Sequence, residues 1–581
     1  MRHVLALPLF LIIAPPLVAQ QGQDPAAEAV TRLADTWVAT ILEWWPEVAA
    51  FQGTPDADPG AITDPSWKAV LEWEAREDAM HEQLLKIDAS RLEGKPEWVT
   101  YGFLREALEL GRQSRVCRSE LWRVDQRYGW QVTYPLLGME VQPLGTEVLR
   151  EAALRRFARL PGYIDAEIAN LREGLRRGYS APRVTVERVL AQIDGLLQGP
   201  PEASPFYGLA RRDSTGSFQT AVHDLVVGVI NPAVVEYRDF LREEYLPQAR
   251  TETAISANPD GAACYRTLTR AATSLDLSPE ALHRLGLDAM EEILAEMHEI
   301  AMRSFATDDV PSLLARLRTD EQFLFGSGTE IREHAERAIV RARTATPAWF
   351  GELPEAELVI RPVPPHEEPS APPGLYLPPA EDGSRPGIYQ INLYRAEEQP
   401  RALLEDIVFH ETIPGHHLQA TMQRKRAQAH PISRYLTFTA VREGWAVYAE
   451  RLADEMGLYS SDLQRLGMLS ALAHRAARLV VDPGMHALGW TRQQAIDYMS
   501  THTMLAPHVI ESEVDRYIVT PGEATAFTVG YQEIRQARAR ARQELGETFD
   551  VAAFHDLVLA DGAVTLPMLR AKVEQWIASR R

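Results

Sequence analysis

The run HETIPGHH at residues 410–417 puts His410 and Glu411 side by side, with His416 and His417 six and seven positions on. A zinc hydrolase holds its ion with neutral imidazoles and usually one carboxylate, and leaves a coordination position for water. It also needs a carboxylate beside that water to accept its proton, which the glutamate next to the first histidine does in HExxH helices. His410 and Glu411 have that form, as first ligand and general base. The spacing is not HExxH, because the residue four after His410 is Pro414. On an ideal helix His416 is rotated off the His410 face. His417 returns to that face about 10 Å further along, at roughly 1.5 Å per residue. Neither position suits one ion. Pro414, however, cannot donate a backbone hydrogen bond, and Gly415 relaxes the chain further. A bulge or kink here would bring one of the two histidines back to His410. Spacing leaves His416 and His417 both open as the second ligand. The plainer alternative is a group of capping histidines near a helix break.

A third ligand has to come from another helix. In AVREGWAVYAE, Glu443 lies beside Gly444 and Trp445 in an apolar segment, a costly place for an unpaired carboxylate. A cation would offset that cost; so would a salt bridge to Arg442 or Arg451. Glu450, seven residues on, reads as a salt-bridge partner or as the group that holds a ligand histidine by its second nitrogen. Amide hydrolysis also needs a donor for the oxyanion, and His486, Tyr517 and Tyr531 are candidates. Arg478 and Arg516 are candidates to grip a substrate carboxylate, against the alternative of pairing with acids such as Asp482 or Asp515. Tyr389 and Asn392 sit in GIYQINLY. As an edge strand of the cleft it would pair with an extended peptide; a structural hairpin fits equally.

These residues are distributed over a chain that reads as mainly helical. Runs such as TRLADTWVATILEWWPEVAAF and LREAALRRFARLPGYIDAEIANLREGL repeat apolar residues every three and four positions. Ser278 before Pro279 and Glu280 marks a helix start. Between Glu357 and Tyr394 the pattern changes: ELVIRPVPP and GIYQINLY are short and β-rich, joined by a Pro-rich stretch, and give a small β element beside the site. Helices then resume to the C-terminus. The organisation is a leader at 1–19, an N-terminal helical region at 20–250 and a C-terminal helical region at 251–581 that carries the metal site.

The leader has Arg2 and His3 ahead of an apolar run broken by Pro8, Pro15 and Pro16, with Leu17 and Ala19 at the cleavage positions. This is the pattern of an exported, periplasmic or secreted protein without a stable membrane span after cleavage. Beyond it the sequence shows no other long apolar stretch. Cys117 and Cys264 are the only two cysteines; they form one disulfide in an oxidising compartment or stay as two buried thiols. The formal net charge of -21 argues against nucleic acid or an anionic membrane as partner.

Five strings, GLYLPPAEDGSRPGIYQINLY, HETIPGHHLQ, REGWAVYAERL, RLVVDPGMHALGWTRQQAIDYM and RYIVTPGEATAF, resemble the bacterial family called domain of unknown function 885. The resemblance covers roughly residues 30–581 in order. It implies a place near the gluzincin-type metallopeptidases, with a helical, cleft-containing fold. By position it makes His410 and the GH histidine, His416, ligands, Glu411 the base and Glu443 the downstream ligand. The longer gap between HE and GH departs from the HExGH pattern and keeps His417 in play. The expectation is a Zn2+-dependent hydrolase of short peptides or small amides; the alternative is a non-catalytic envelope binding protein on the same fold. Sequence alone names neither the scissile bond nor the oligomeric state.

Overall fold

A computed structural model of the chain describes residues 24–54, 57–364, 368, 371–379, 385–425, 430–436 and 438–581. The leader expected at 1–19 lies outside them. The described chain is mainly helical, with one small three-stranded sheet.

Six helices frame the candidate site: α1 (Pro279–Phe305), α2 (Arg401–Glu411), α3 (His416–Lys425), α4 (Thr439–Glu455), α5 (Asp462–Ala487) and α6 (Ala526–Leu545). The start of α1 follows from its sequence. The Ser278 side chain accepts the Ala281 N–H, Pro279 occupies the first turn, and the helix runs until Ala306 takes a left-handed conformation at φ 52°. Helix α5 is buried nearly all round: Leu466, Met468, Leu472, Ala473, Ala476, Leu479 and Val480 face different directions and all lie inside. A helix apolar on every side belongs at the centre, and α1 and α2 pack along it.

The main core runs from Leu33 to Ile577, so that helices near the N-terminus close over the C-terminal ones. A second core, from Val124 to Ala249, forms a lobe of its own. Within that lobe the helical run Gly216–Gln248 is, among the described residues, long and apolar enough to cross a membrane. This qualifies the expectation of no further long apolar stretch. Here Val222, Val226, Ile230, Val234 and Tyr237 are spent on the lobe's own core. Cys117 and Cys264 form a disulfide across a sequence separation of 147 residues, with Cα atoms 4.7 Å apart. Spacing had left this open, because only the fold brings those segments together.

The sheet contains β1 (Leu358–Pro362), β2 (Gly374–Leu377) and β3 (Gly387–Ile391), in the order β1-β3-β2. β3 pairs parallel with β1, Leu358 opposite Gly387, and antiparallel with β2, Gly374 opposite Ile391. The edge-strand reading of GIYQINLY therefore does not hold. β3 is central and both its backbone edges are taken, one of them by β2, formed from a stretch read as joining loop.

Helices α4 and α6 meet backbone to backbone. A Cβ on Gly530 would lie 1.7 Å from the Ala440 carbonyl oxygen. That contact can be relieved only by moving two helices, one of which carries Glu443 and Glu450. Gly530→Ala is expected to destabilise the protein by about 3 kcal/mol, at the upper end of overpacking effects. Chemical denaturation reads this directly, and an unchanged midpoint would show that the helices do not pack so closely.

Candidate metal centre

The break expected at Pro414 is a full interruption. Helix α2 ends at Glu411, Thr412 leaves helical geometry at φ -113°, ψ -106°, and α3 begins afresh at His416. The turn is tied on three sides. Gly415 N–H donates to the Phe409 carbonyl, His417 N–H to the Thr412 carbonyl, and the Trp445 indole N–H to the Pro414 carbonyl at 3.1 Å. Glycine is required at 415, since a Cβ there would stand 1.9 Å from the His410 carbonyl oxygen. Two short helices meeting at an angle achieve what a continuous helix cannot. The His410 and His416 rings lie with centroids 4.9 Å apart, nearly perpendicular.

Glu443, from α4, faces both rings. Its Oε2 is 3.8 Å from His410 Nε2 and 3.5 Å from His416 Nε2. One ligand atom from each residue lies within 4.8 Å of the others. His417 points elsewhere: its Nδ1 is 3.0 Å from the Tyr376 hydroxyl on β2, which fastens α3 to the sheet. Of the two histidines left open by spacing, His416 is the one in the cluster.

The free nitrogens settle which atoms face inward. His410 Nδ1 is 2.7 Å from Glu450 Oε1, and His416 Nδ1 is 3.1 Å from the Gln419 amide oxygen. An Nδ1–H that donates to an oxygen leaves Nε2 bare as a ligand. Burial, aided by the Arg475 charge, lowers the His410 pKa to about 3, so its imidazole is neutral. Burial opposes charge on His416 and Glu443 as well. There the attraction between them wins, raising the His416 pKa and lowering that of Glu443, with Arg442 assisting. Two neutral-capable imidazoles and one carboxylate match the donor set of a catalytic zinc site. Tetrahedral ligands about 2.0–2.1 Å from an ion sit roughly 3.3 Å apart, the scale of the contacts present. The residues therefore fit a zinc ion.

Behind the cluster lies a buried polar chain. Glu450 also accepts from Arg475 at 2.7 Å, and Arg475 reaches within 3.2 Å of His410 Nδ1. Burial lifts Glu450 to about 7, against the pull of Arg475 and of Asp406. Burial and the Glu450 charge hold Asp406 well above the ordinary aspartate range. Two adjoining buried carboxyls disfavour a second charge, so Asp406 and Glu450 share one proton as a pair. Tyr459 closes the chain, donating to Asp406 Oδ1 at 3.3 Å. Neither Asp406 nor Arg475 was singled out from sequence. The signal was present in each, a charged residue inside an apolar helical run, LLEDIVFHE and ALAHRAARLVV.

The remaining candidates are not gathered at the cluster. His486 is fully buried; its Nδ1 accepts from Ile255 N–H and its Nε2–H donates to the Tyr517 carbonyl, so no proton is free for an oxyanion. Tyr517 donates to Glu513 at 2.7 Å and accepts from Arg478. Arg478 and Arg516 both pair with Glu513, at 2.9 and 2.8 Å, so neither is available to a substrate. Tyr531 lines a small cavity with Arg451, Arg475, Arg535 and Thr528. Asn392 is spent on the loop, donating to the Glu368 and Ala371 carbonyls. Tyr389 is wholly buried on β3; its hydroxyl has no partner among the described residues, and burial, then the Glu411 charge, raises its pKa.

Residues 46–573 match the model of a family described as bacterial protein of unknown function (DUF885). The chain belongs to that family. Two solved structures resemble this DUF885 chain over almost its whole length. A "putative lipoprotein" from Colwellia psychrerythraea is 26% identical with a TM-score of 0.86, covering 95% of this chain and 99% of the other. A "putative lipoprotein of unknown function" from Shewanella oneidensis is 18% identical with a TM-score of 0.77, covering 93% and 99%, and shows the fold alone. Among curated proteins none matches.

Two outcomes are expected of this centre. His416→Gln abolishes stoichiometric zinc in the purified protein while His417→Gln keeps it, as read by elemental analysis; the reverse pattern would reassign the ligand. Glu450→Gln weakens zinc binding about 10–100-fold in a chelator competition, and an unchanged affinity would remove Glu450 from any role in orienting His410.

Proposed function

We propose that this DUF885 chain is a zinc-dependent hydrolase of amide bonds in short peptides or small amides, related in mechanism to the gluzincin-type metallopeptidases. The observation that carries the reading is the convergence of His410 Nε2, His416 Nε2 and Glu443 Oε2, with Glu411 next in sequence to the first ligand. When bound, zinc would polarise the substrate carbonyl and lower the pKa of an attacking water.

The protein's own groups supply the rest. Glu450 keeps His410 in the tautomer that presents Nε2. Glu411, only half-buried, is free to accept the water's proton and pass it to the leaving amine. Tyr389 stands where the Glu411 charge reaches it, with an unspent hydroxyl. Arg442, 2.7 Å from Glu443 Oε1, also supports a second reading, a structural ion pair in a non-catalytic binding protein. The two readings differ in whether the site turns over.

Export fits this reading. The leader-like pattern at 1–19, the Cys117–Cys264 disulfide and the lipoprotein description of the Colwellia neighbour all support an envelope or secreted location.

The test combines metal content with one substitution. The protein should carry about one zinc and hydrolyse short peptides. Glu411→Gln should retain the zinc and lose hydrolysis by about 10²–10⁴-fold, the range of general-base contributions. A protein that is free of zinc and hydrolyses no peptide would leave the binding protein; a Glu411→Gln variant with full activity would remove Glu411 as the base and end the proposed mechanism.

A further inference from the structure

Substrate recognition near the cluster is constrained by where positive charge is available. The chain as a whole carries -21, so its general field repels anions. Arg475, the cation felt at His410, is nearly buried and bonded to Glu450. Arg478 and Arg516 have side chains only 10% and 13% exposed and are paired with Glu513 and, for Arg516, Glu523 as well. Arg442 differs on both counts. Its side chain is 53% exposed, and its partner among the described residues is Glu443, the ligand carboxylate itself.

A guanidinium presents five N–H donors in a planar fork. Arg442 Nη2 lies 2.7 Å from Glu443 Oε1. With 53% of the side chain exposed, donors of the fork have solvent access and can pair with a second carboxylate in the two-point geometry that arginine favours. Nη2 is one carboxylate's width from the ligand atoms, since the other oxygen of Glu443 is the one that faces His410 and His416. One residue of extended chain spans about 3.3–3.6 Å. A carboxylate held by Arg442 would therefore set the preceding amide bond beside the cluster.

We propose that Arg442 is the specificity-determining residue of this site and binds the free α-carboxylate of the substrate. The substrate class is then short peptides cleaved at their C-terminal bond. This rests on the hydrolase reading above and narrows it. The exposed arginine beside the metal-ligand carboxylate is what distinguishes this class from neutral small amides, which offer Arg442 no charge to pair with.

The experiment compares tri-alanine with its C-terminal amide on the zinc-loaded full-length protein. The wild type should prefer the acid by about tenfold or more in kcat/KM, as for a charge-assisted two-point contact. Arg442→Gln should bring the two substrates to near parity through a higher KM for the acid, and Arg442→Lys should fall between. A preference that survives Arg442→Gln, or a wild type without preference, overturns the proposal. So does an equal loss on both substrates accompanied by lower zinc content, which would make Arg442 only a brace for Glu443. Calorimetric binding of both peptides to the Glu411→Gln protein separates this from the hydrolase reading. Preferential binding of the acid that Arg442→Gln removes, in a protein whose wild type hydrolyses neither, would end the hydrolase and keep the carboxylate site.

Discussion

The contact between His410 Nδ1 and the buried carboxylate of Glu450 governs much of this structure. A fully buried glutamate is costly unless its charge is answered. Here it is answered by Arg475 from α5 and by a proton shared with Asp406 from α2. The three groups come from three helices, so the pair exists only where α2, α4 and α5 are packed together. Central burial of α5 and the glycine contact between α4 and α6 fix that packing. A network of this kind is favourable when every member is satisfied and costly when one is removed. It therefore specifies the arrangement of the helices as well as the orientation of one imidazole.

The same economy of charge shapes the front of the site. Most arginines near it are already committed to acids: Arg478 and Arg516 to Glu513, Arg475 to Glu450. The Arg478–Glu513 pair holds helix Pro507–Val519 against α5, and the Arg475–Glu450 pair holds α4 against it. Recognition of an anionic group has to rest on a cation with solvent access, and Arg442 has it. Among the described residues, Arg442 is the exposed guanidinium that contacts the cluster.

What could be read from the residues, and what could not, follows from the range of the interactions involved. Helices were legible because their apolar period is local, and the start of α1 at Ser278-Pro279 because a cap is made by its own neighbours. Glu443 and Glu450 stood out because a carboxylate in an apolar helix demands a partner, and the structure puts Arg442 beside the first and His410 beside the second, both among the partners weighed from the sequence. Asp406 and Arg475 gave the same signal and were passed over, since no motif drew attention to them. His486, Tyr517, Arg478 and Arg516 looked available only while their partners were unknown; each is satisfied by a group that the folded chain brings against it.

Neighbouring residues alone were enough to make the chain helical, to set His410 and Glu411 at the end of an apolar helical run, and to require a bulge or kink at Pro414-Gly415. Those are properties of nearest neighbours. Only the tertiary structure decided that the interruption is complete, that His416 turns to Glu443 while His417 turns to Tyr376, that β3 is a central strand, and that Cys117 meets Cys264. The reason is the same in each case. Which face of a residue meets which partner depends on the angle at which two separately formed elements pack, and that angle is set by contacts between segments far apart in the chain.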